Sequence, residues 1–224
     1  MATVVFNANT QTIDFQVAIF ERIAVALEKD GYAVIPNALP ETISNSLLDY
    51  IAYADAQAHF HPAAVGRGTE TIHSQFIRRD NISWIAEEEP YSKLWLDWST
   101  ELQRYLNRRL FLGLFSFESH IAHYQPGDFY KTHVDAFKGE SNRVLSLVSY
   151  LNRGWEPDQG GELVIYAPNS NQELLRVTPN FGTLVIFLSE EFPHQVRTAN
   201  RDRFSVAGWF RVNGSNTVQV DPPR

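Results

Sequence analysis

The chain has 224 residues, enough for one large domain, and its 44% hydrophobic and 13% aromatic content supplies a sizeable core. Nineteen basic residues against 26 acidic give a net charge of −7, which argues against an electrostatic nucleic-acid binder. No cysteine is present, so disulfides, thiolate nucleophiles, thiolate zinc sites and iron–sulfur clusters are all excluded.

The first segment, MATVVFNANTQTIDF, lacks the basic stretch and long apolar run of a signal peptide, and no apolar run approaches the roughly 18 residues of a membrane span. The cytoplasm is therefore the expected compartment, with neither membrane nor nucleic acid as partner. Phe15, Ile19, Ile23 and Leu27 recur at i, i+4 and stop at Gly31, predicting a helix. Tyr32–Ile35 then reads as a short strand before Pro36. LPETISNSLLDYIAYADAQ begins a second helix, with Pro40 suited to its first turn. YSKLWLDWSTELQRYLNRRLF supplies a third, with Leu94, Trp98, Leu102 and Leu106 along one face. These helices are expected to pad a sheet.

From Phe115 the pattern changes to short strands, predicted near 117–125, 130–136, 144–151, 161–166, 173–177, 183–188, 194–198 and 203–211. Gly127, Gly154, Gly160–Gly161, Pro168, Pro179 and Gly182 separate them. Eight such strands suggest a barrel or sandwich, giving an α+β chain with a mainly β core. The domain expectation is a single catalytic unit over 1–224. Within it, 1–114 gives helical support and a substrate loop, 115–211 the core, and 212–224 a loosely ordered tail.

His133 and Asp135 are two residues apart, so on a strand they would project from one face. His194 is the only histidine downstream. Two histidines and a carboxylate can bind three adjacent positions of an octahedral metal, as in non-heme Fe(II) oxygenases; the same donors also suit zinc. Nine residues on, alternation puts Arg203, Ser205, Ala207 and Trp209 on one face of the last strand. A buried guanidinium needs an anion. A dicarboxylate keto acid would serve arginine and metal together, whereas pairing with Glu162 or Asp202 would make Arg203 purely structural.

The stretches HYQPGDFYKTHVD, SYLNRGWEPDQGGELVIY, FGTLVIFLSEEFPHQV and RFSVAGWF closely resemble the Fe(II)/2-oxoglutarate-dependent prolyl hydroxylases, and VGRG (65–68) and FIRRDNISWI (76–85) extend the likeness upstream. About two thirds of the chain is covered, and the segments resemble the animal oxygen-sensing enzymes and, more closely, their bacterial relatives. The resemblance implies a double-stranded β-helix of the jelly-roll or cupin type, flanked by N-terminal helices. It implies His133, Asp135 and His194 as iron ligands, Arg203 as the grip on the distal carboxylate of 2-oxoglutarate aided by the Tyr150 hydroxyl, and Tyr124 as lining that pocket; Ser205, on the same strand face as Arg203, is placed nearby by the alternation alone. Arg143 and Trp209 match residues that contact the target proline; Arg78, Asp80 and Trp84 match the segment shaping the pocket entrance. Fe(II), 2-oxoglutarate, O2 and ascorbate as reductant are the implied cofactors. The implied reaction hydroxylates a prolyl residue of a protein substrate, with succinate and CO2 as by-products, and bacterial relatives point to elongation factor Tu.

Arg79 departs from the family, which often has glycine there. Arg143 and Tyr150, seven residues apart, would face opposite ways on a regular strand, so either Arg143 precedes the strand or a bulge intervenes. His59, His61, His73 and His120 are expected in loops or at the surface, and His123 in the core or at the surface. GRGTET lacks the lysine and spacing of a phosphate loop and reads as a substrate-gripping loop. Arg67, Arg78 and Arg79 give that region positive charge suited to an acidic protein partner. The competing functions are the same oxygenase acting on a small molecule or another side chain, a non-catalytic iron or 2-oxoglutarate sensor, and a zinc hydrolase.

Overall fold

In the computed structural model, residues 8–63, 76–136 and 142–214 are described. Helix α1 spans Ala8–Asp30 and buries Ile19, Phe20, Ile23, Ala24 and Leu27, a continuous apolar stripe. Phe15, expected on that stripe, is 46% exposed. Gly31 ends the helix at φ 76, its N–H donating to the Leu27 carbonyl at 3.0 Å. Strand β1 (Tyr32–Ile35) follows, then α2 (Glu41–Ala56), which Pro40 precedes.

Helix α3 runs Lys93–Leu110 and buries Trp95, Trp98, Ser99, Leu102 and Leu106. Leu94, predicted on the inner face, is 47% exposed; the buried stripe starts one residue later, at Trp95. The reason is specific. Trp95 stacks on Trp98 with ring centroids 5.6 Å apart and donates its Nε1–H to Ser119 Oγ at 3.0 Å. The largest buried side chain thereby finds both a stacking partner and an acceptor.

The remaining strands are β2 (His61–Pro62), β3 (Asn81–Trp84), β4 (Ser116–Tyr124), β5 (Tyr130–His133), β6 (Arg143–Tyr150), β7 (Leu163–Tyr166), β8 (Glu173–Val177), β9 (Leu184–Leu188), β10 (His194–Val196) and β11 (Arg203–Arg211). They form two antiparallel sheets, ordered β1-β9-β6-β11-β4-β3-β2 and β5-β10-β7-β8. Each of the eight strands predicted after Phe115 has a counterpart. β2 and β3 were not predicted as strands, and β5 ends at His133, leaving Asp135 in a bend instead of on the strand.

The helices cover one face of the larger sheet, where Ile121, Leu145, Leu147, Ile186, Val206 and Phe210 meet them in one apolar cluster. The other face turns toward the smaller sheet across a second cluster that includes Tyr124, Tyr150, Ile165, Val185 and Phe187. Register fixes what lies between the sheets. Arg203 pairs with Tyr124, and Ser205 with both Ala122 and Tyr150; further along, Trp209 pairs with Glu118 and Ser146. In the small sheet His194 pairs directly with His133. The β6–β11 ladder shifts between Phe210 and Arg211, whose partners are Leu145 and Arg143. That extra residue is the bulge that reconciles Arg143 with Tyr150 on one face.

Candidate metal centre and its cavity

His133 and His194 sit opposite each other on paired strands, and the chain bends back after β5 to bring Asp135 between them. Asp135 Oδ1 is 3.6 Å from His133 Nε2, and Asp135 Oδ2 is 3.6 Å from His194 Nε2. One donor atom from each residue lies within 4.8 Å of the other two. Each imidazole has its Nδ1 against a backbone carbonyl, Lys131 O at 2.8 Å and Phe192 O at 3.0 Å. A carbonyl only accepts, so Nδ1 carries the proton and Nε2 turns a lone pair to the centre. Burial works to raise the Asp135 carboxyl, but the flanking His194 and His133 and the Ser146 hydroxyl hold it well below the usual carboxylate range. Burial, with His133 nearby, lowers His194 to about 4. The Nε2 atoms of His133 and His194 and one ionised carboxylate form a donor set that fits a divalent cation such as Fe(II).

Arg203 is 1% exposed. Its Nε donates to the Gly161 carbonyl at 2.8 Å and its Nη1 to Ser205 Oγ at 3.1 Å, while the rings of Tyr124 and Tyr150 flank the guanidinium at 4.9 and 5.2 Å. Neither Glu162 nor Asp202 pairs with it; Asp202 instead meets His123 Nε2 at 2.7 Å. Among the described residues this guanidinium has neutral acceptors and no carboxylate. The Tyr150 hydroxyl is buried without a well-formed hydrogen bond, and burial pushes it up to about 12. A buried guanidinium with no carboxylate partner among the described residues, beside a buried tyrosine hydroxyl, fits the carboxylate of a small acid.

Cluster and arginine open onto one cavity of about 1000 Å³. At its far end Trp84 is 51% exposed, while Trp209 lies almost buried under the Arg143 guanidinium, 3.7 Å from the ring centroid. Arg143 is held by Glu118, which accepts from its Nε at 3.1 Å and Nη2 at 2.8 Å and also from Arg211 Nη1 at 3.4 Å. Arg78 is clamped by the buried Asp80 through two bonds, Nε–Oδ1 at 2.5 Å and Nη2–Oδ2 at 2.8 Å. Arg79 adopts no positive φ, so arginine in place of the family's glycine costs no backbone strain here.

His120 corrects an expectation. Predicted at the surface, it is 2% exposed and lines the cavity between Trp84 and Trp209. Burial, helped by Arg78, lowers it well below its ordinary value and keeps it neutral. His61 is exposed and His59 half-buried near Glu89. Arg67, His73 and the VGRG segment lie outside the described residues. The residues that sequence reasoning missed are Ser146, Ser189, Glu118 and His120 as parts of the site. His120 and Glu118 carried one usable signal, their positions on the strand leading to Tyr124; the serines carried none.

Comparison with known proteins gives a consistent picture. Residues 119–211 match the family model of the 2OG-Fe(II) oxygenase superfamily. A Pseudomonas putida prolyl-4-hydroxylase is 35% identical, with TM-score 0.77, over 88% of this chain and 100% of that one. A Trichoplax adhaerens prolyl hydroxylase, solved with a hypoxia inducible factor oxygen degradation domain peptide fragment, shares the fold at TM-score 0.79 and 24% identity, over 92% of this chain and 94% of that one. Human Egl nine homolog 1 is 26% identical over 200 residues, 85% of this chain and 46% of that protein, so the chain spans about half the length of that relative. Among the described residues no helix is long and apolar enough to cross a membrane.

Proposed function

The chain belongs to the 2OG-Fe(II) oxygenase superfamily, in its prolyl hydroxylase family, and from that premise we propose that it hydroxylates a prolyl residue of a protein substrate, consuming 2-oxoglutarate and O2 and releasing succinate and CO2. The observation that carries this reading is one cavity shared by a His–Asp–His cluster and a buried arginine that pairs with no carboxylate among the described residues. In this reading His133, Asp135 and His194 hold Fe(II), and the two facing sheets form the double-stranded β-helix of the family. Arg203 takes the distal carboxylate of 2-oxoglutarate, with Ser205 and the Tyr150 hydroxyl as additional partners and Tyr124 as the wall. Iron and keto acid, when bound, supply the oxidative chemistry that couples O2 to hydroxylation of a C–H bond.

The chain's own contribution is positional. The carbonyls of Lys131 and Phe192 lock both imidazoles in the tautomer that leaves Nε2 free. Arg203 fixes the orientation of the keto acid by a planar fork, and the buried aromatic walls exclude water from the charged groups. Trp209 and Arg143 present the target ring, while Trp84, with the Arg78–Asp80 clamp, shapes the entrance. Ascorbate keeps the metal ferrous, the setting is the cytoplasm, and elongation factor Tu is the candidate substrate to which the family resemblance points.

The test is peptide mass spectrometry on an extract of cells lacking this protein, incubated with purified protein, Fe(II), ascorbate and 2-oxoglutarate, with His133→Ala as the blank. One added oxygen on a particular proline, absent with the variant, is the expected result and names the substrate. Succinate formation driven by small molecules, with no proline modified, would replace the reading by a metabolite oxygenase. Neither signal would leave a sensor or a zinc hydrolase.

A further inference from the structure

Asp135 lies beyond the end of its strand, so the strand itself does not fix its carboxylate. A serine pair from the larger sheet does. Ser146 Oγ on β6 is 2.6 Å from Asp135 Oδ2 and 2.9 Å from Ser189 Oγ, the residue after β9. Both serines are buried. Their backbones are fixed by pairing: Ser146 opposite Trp209 and Phe187, and Ser189 donating its N–H to the Val144 carbonyl at 3.0 Å.

The direction of the two hydrogen bonds follows from counting protons. A carboxylate that binds a cation is ionised and can only accept. Ser146 has one proton and gives it to Oδ2; the short contact is what a charge-assisted bond looks like. Ser189 must then donate to Ser146. The chain Ser189 → Ser146 → Asp135 therefore has a single polarity, and it ends on one particular oxygen.

We propose that Ser146, backed by Ser189, is a positioning residue for the metal site: it occupies Asp135 Oδ2 and leaves Oδ1 as the sole coordinating oxygen. The inference rests on the iron-site reading above and adds a consequence to it. An octahedral ion held by three protein atoms keeps three positions for substrate and oxygen. A carboxylate that used both oxygens would fill one of them. The hydroxyl prevents this and also withdraws charge from the ligand.

Titration with Co(II) in the absence of 2-oxoglutarate, followed by visible absorption, tests this without turnover. Ser146→Ala is expected to bind Co(II) about 10- to 100-fold more weakly than the parent, the usual effect of removing a partner of a ligand. Its absorption bands should shift as the second oxygen enters coordination. Ser146→Thr, which keeps the hydroxyl, should stay within about threefold of the parent, and Ser189→Ala should fall between the two. The metal-free thermal midpoint of Ser146→Ala should fall, because the hydroxyl also satisfies a buried carboxylate, so affinity and bands are read well below both midpoints, where the band shift separates positioning from general stability. Parent-like affinity and bands in Ser146→Ala, with binding abolished in His133→Ala, would overturn the serine role and leave the iron site standing. A parent that binds no Co(II), or binds it equally well as His133→Ala, would remove the iron site and this inference together. Should Ser146→Ala fail to fold, Ser189→Ala decides: weakened binding supports the chain of hydrogen bonds, and unchanged binding overturns it.

Discussion

Arg203 puts a full charge in the interior with, among the described residues, the Gly161 carbonyl and the Ser205 hydroxyl as its acceptors and no carboxylate beside it. A buried charge without a counter-charge destabilises the fold, and an apolar side chain of similar volume in its place removes that desolvation cost. Arg203→Met should therefore unfold at a higher temperature than the parent when no ligand is present. At this chain length each kcal/mol is worth about 2–4 °C. The parent should recover the deficit on binding metal and 2-oxoglutarate, gaining about 2.7 kcal/mol at a ligand concentration 100 times Kd. Arg203→Met should gain nothing from the keto acid. Thermal scans with and without 2-oxoglutarate check both halves, and a less stable, still responsive variant would show that the arginine is structural. At this scale, legibility follows residue type. His133, Asp135, His194 and Arg203 stand out because histidine, carboxylate and arginine are conspicuous among strand residues, and the structure brings all four to one cavity. Ser146 and Ser189 do not stand out, because a polar residue on or beside a strand looks alike whether it faces solvent or an ion. Only the register between strands far apart in sequence reveals their neighbours.

Among the elements, the turn between the 3-10 segment Pro157–Gln159 and β7 governs where Arg203 sits. Gly161 has φ +69, and a Cβ there would lie 3.0 Å from Arg203 Cδ and 3.1 Å from the Trp155 ring. Its smallness lets its own carbonyl reach the guanidinium. Gly161→Ala is expected to cost about 1–3 kcal/mol from the strained backbone conformation. It should also weaken 2-oxoglutarate binding, because the added methyl displaces the arginine stem. Gly154→Ala is the control: φ is +59, but nothing lies within 4 Å of the added Cβ. It should lose stability while keeping 2-oxoglutarate affinity, as isothermal titration can show; equal losses of affinity in both would refute the steric argument. The strands after Phe115 were legible because glycine and proline mark nearly every connection between them. β2 and β3 were not, since two- and four-residue strands of mixed composition become strands only through pairing, β3 with β4 and β2 with β3. Nor was the early end of β5 legible, because it is set by its partner: His133 pairs with His194, the first residue of β10, and the ladder extends no further.

Across the whole molecule, the layering of helices, large sheet and small sheet places two neutral histidines inside the protein, and this sets how folding responds to acid. His194 is lowered to about 4 by burial and by the nearby His133, and burial also lowers His120 well below its ordinary value. In an unfolded chain both would titrate near 6.5, the usual value for a histidine. Between those limits the unfolded state binds more protons than the folded one, so stability rises with pH and is lost as pH falls through 6.5 toward 4. A difference the size of His194's is worth roughly 3 kcal/mol when fully developed. The Asp135 carboxylate acts in a separate window: its folded value is depressed, so its contribution is lost only below the ordinary carboxylate range. Chelator-treated protein should therefore show a thermal midpoint that declines steadily from pH 7 to pH 4.5, and His194→Gln should flatten that decline, leaving the part due to His120. A bound divalent cation competes with protons for His133 and His194, so metal-loaded protein should hold its midpoint to lower pH and then lose it steeply as the ion leaves. A flat midpoint in the metal-free parent would mean that water or a rearranged cavity charges these rings without cost, and that the burial keeping them neutral is lost once the cation is gone.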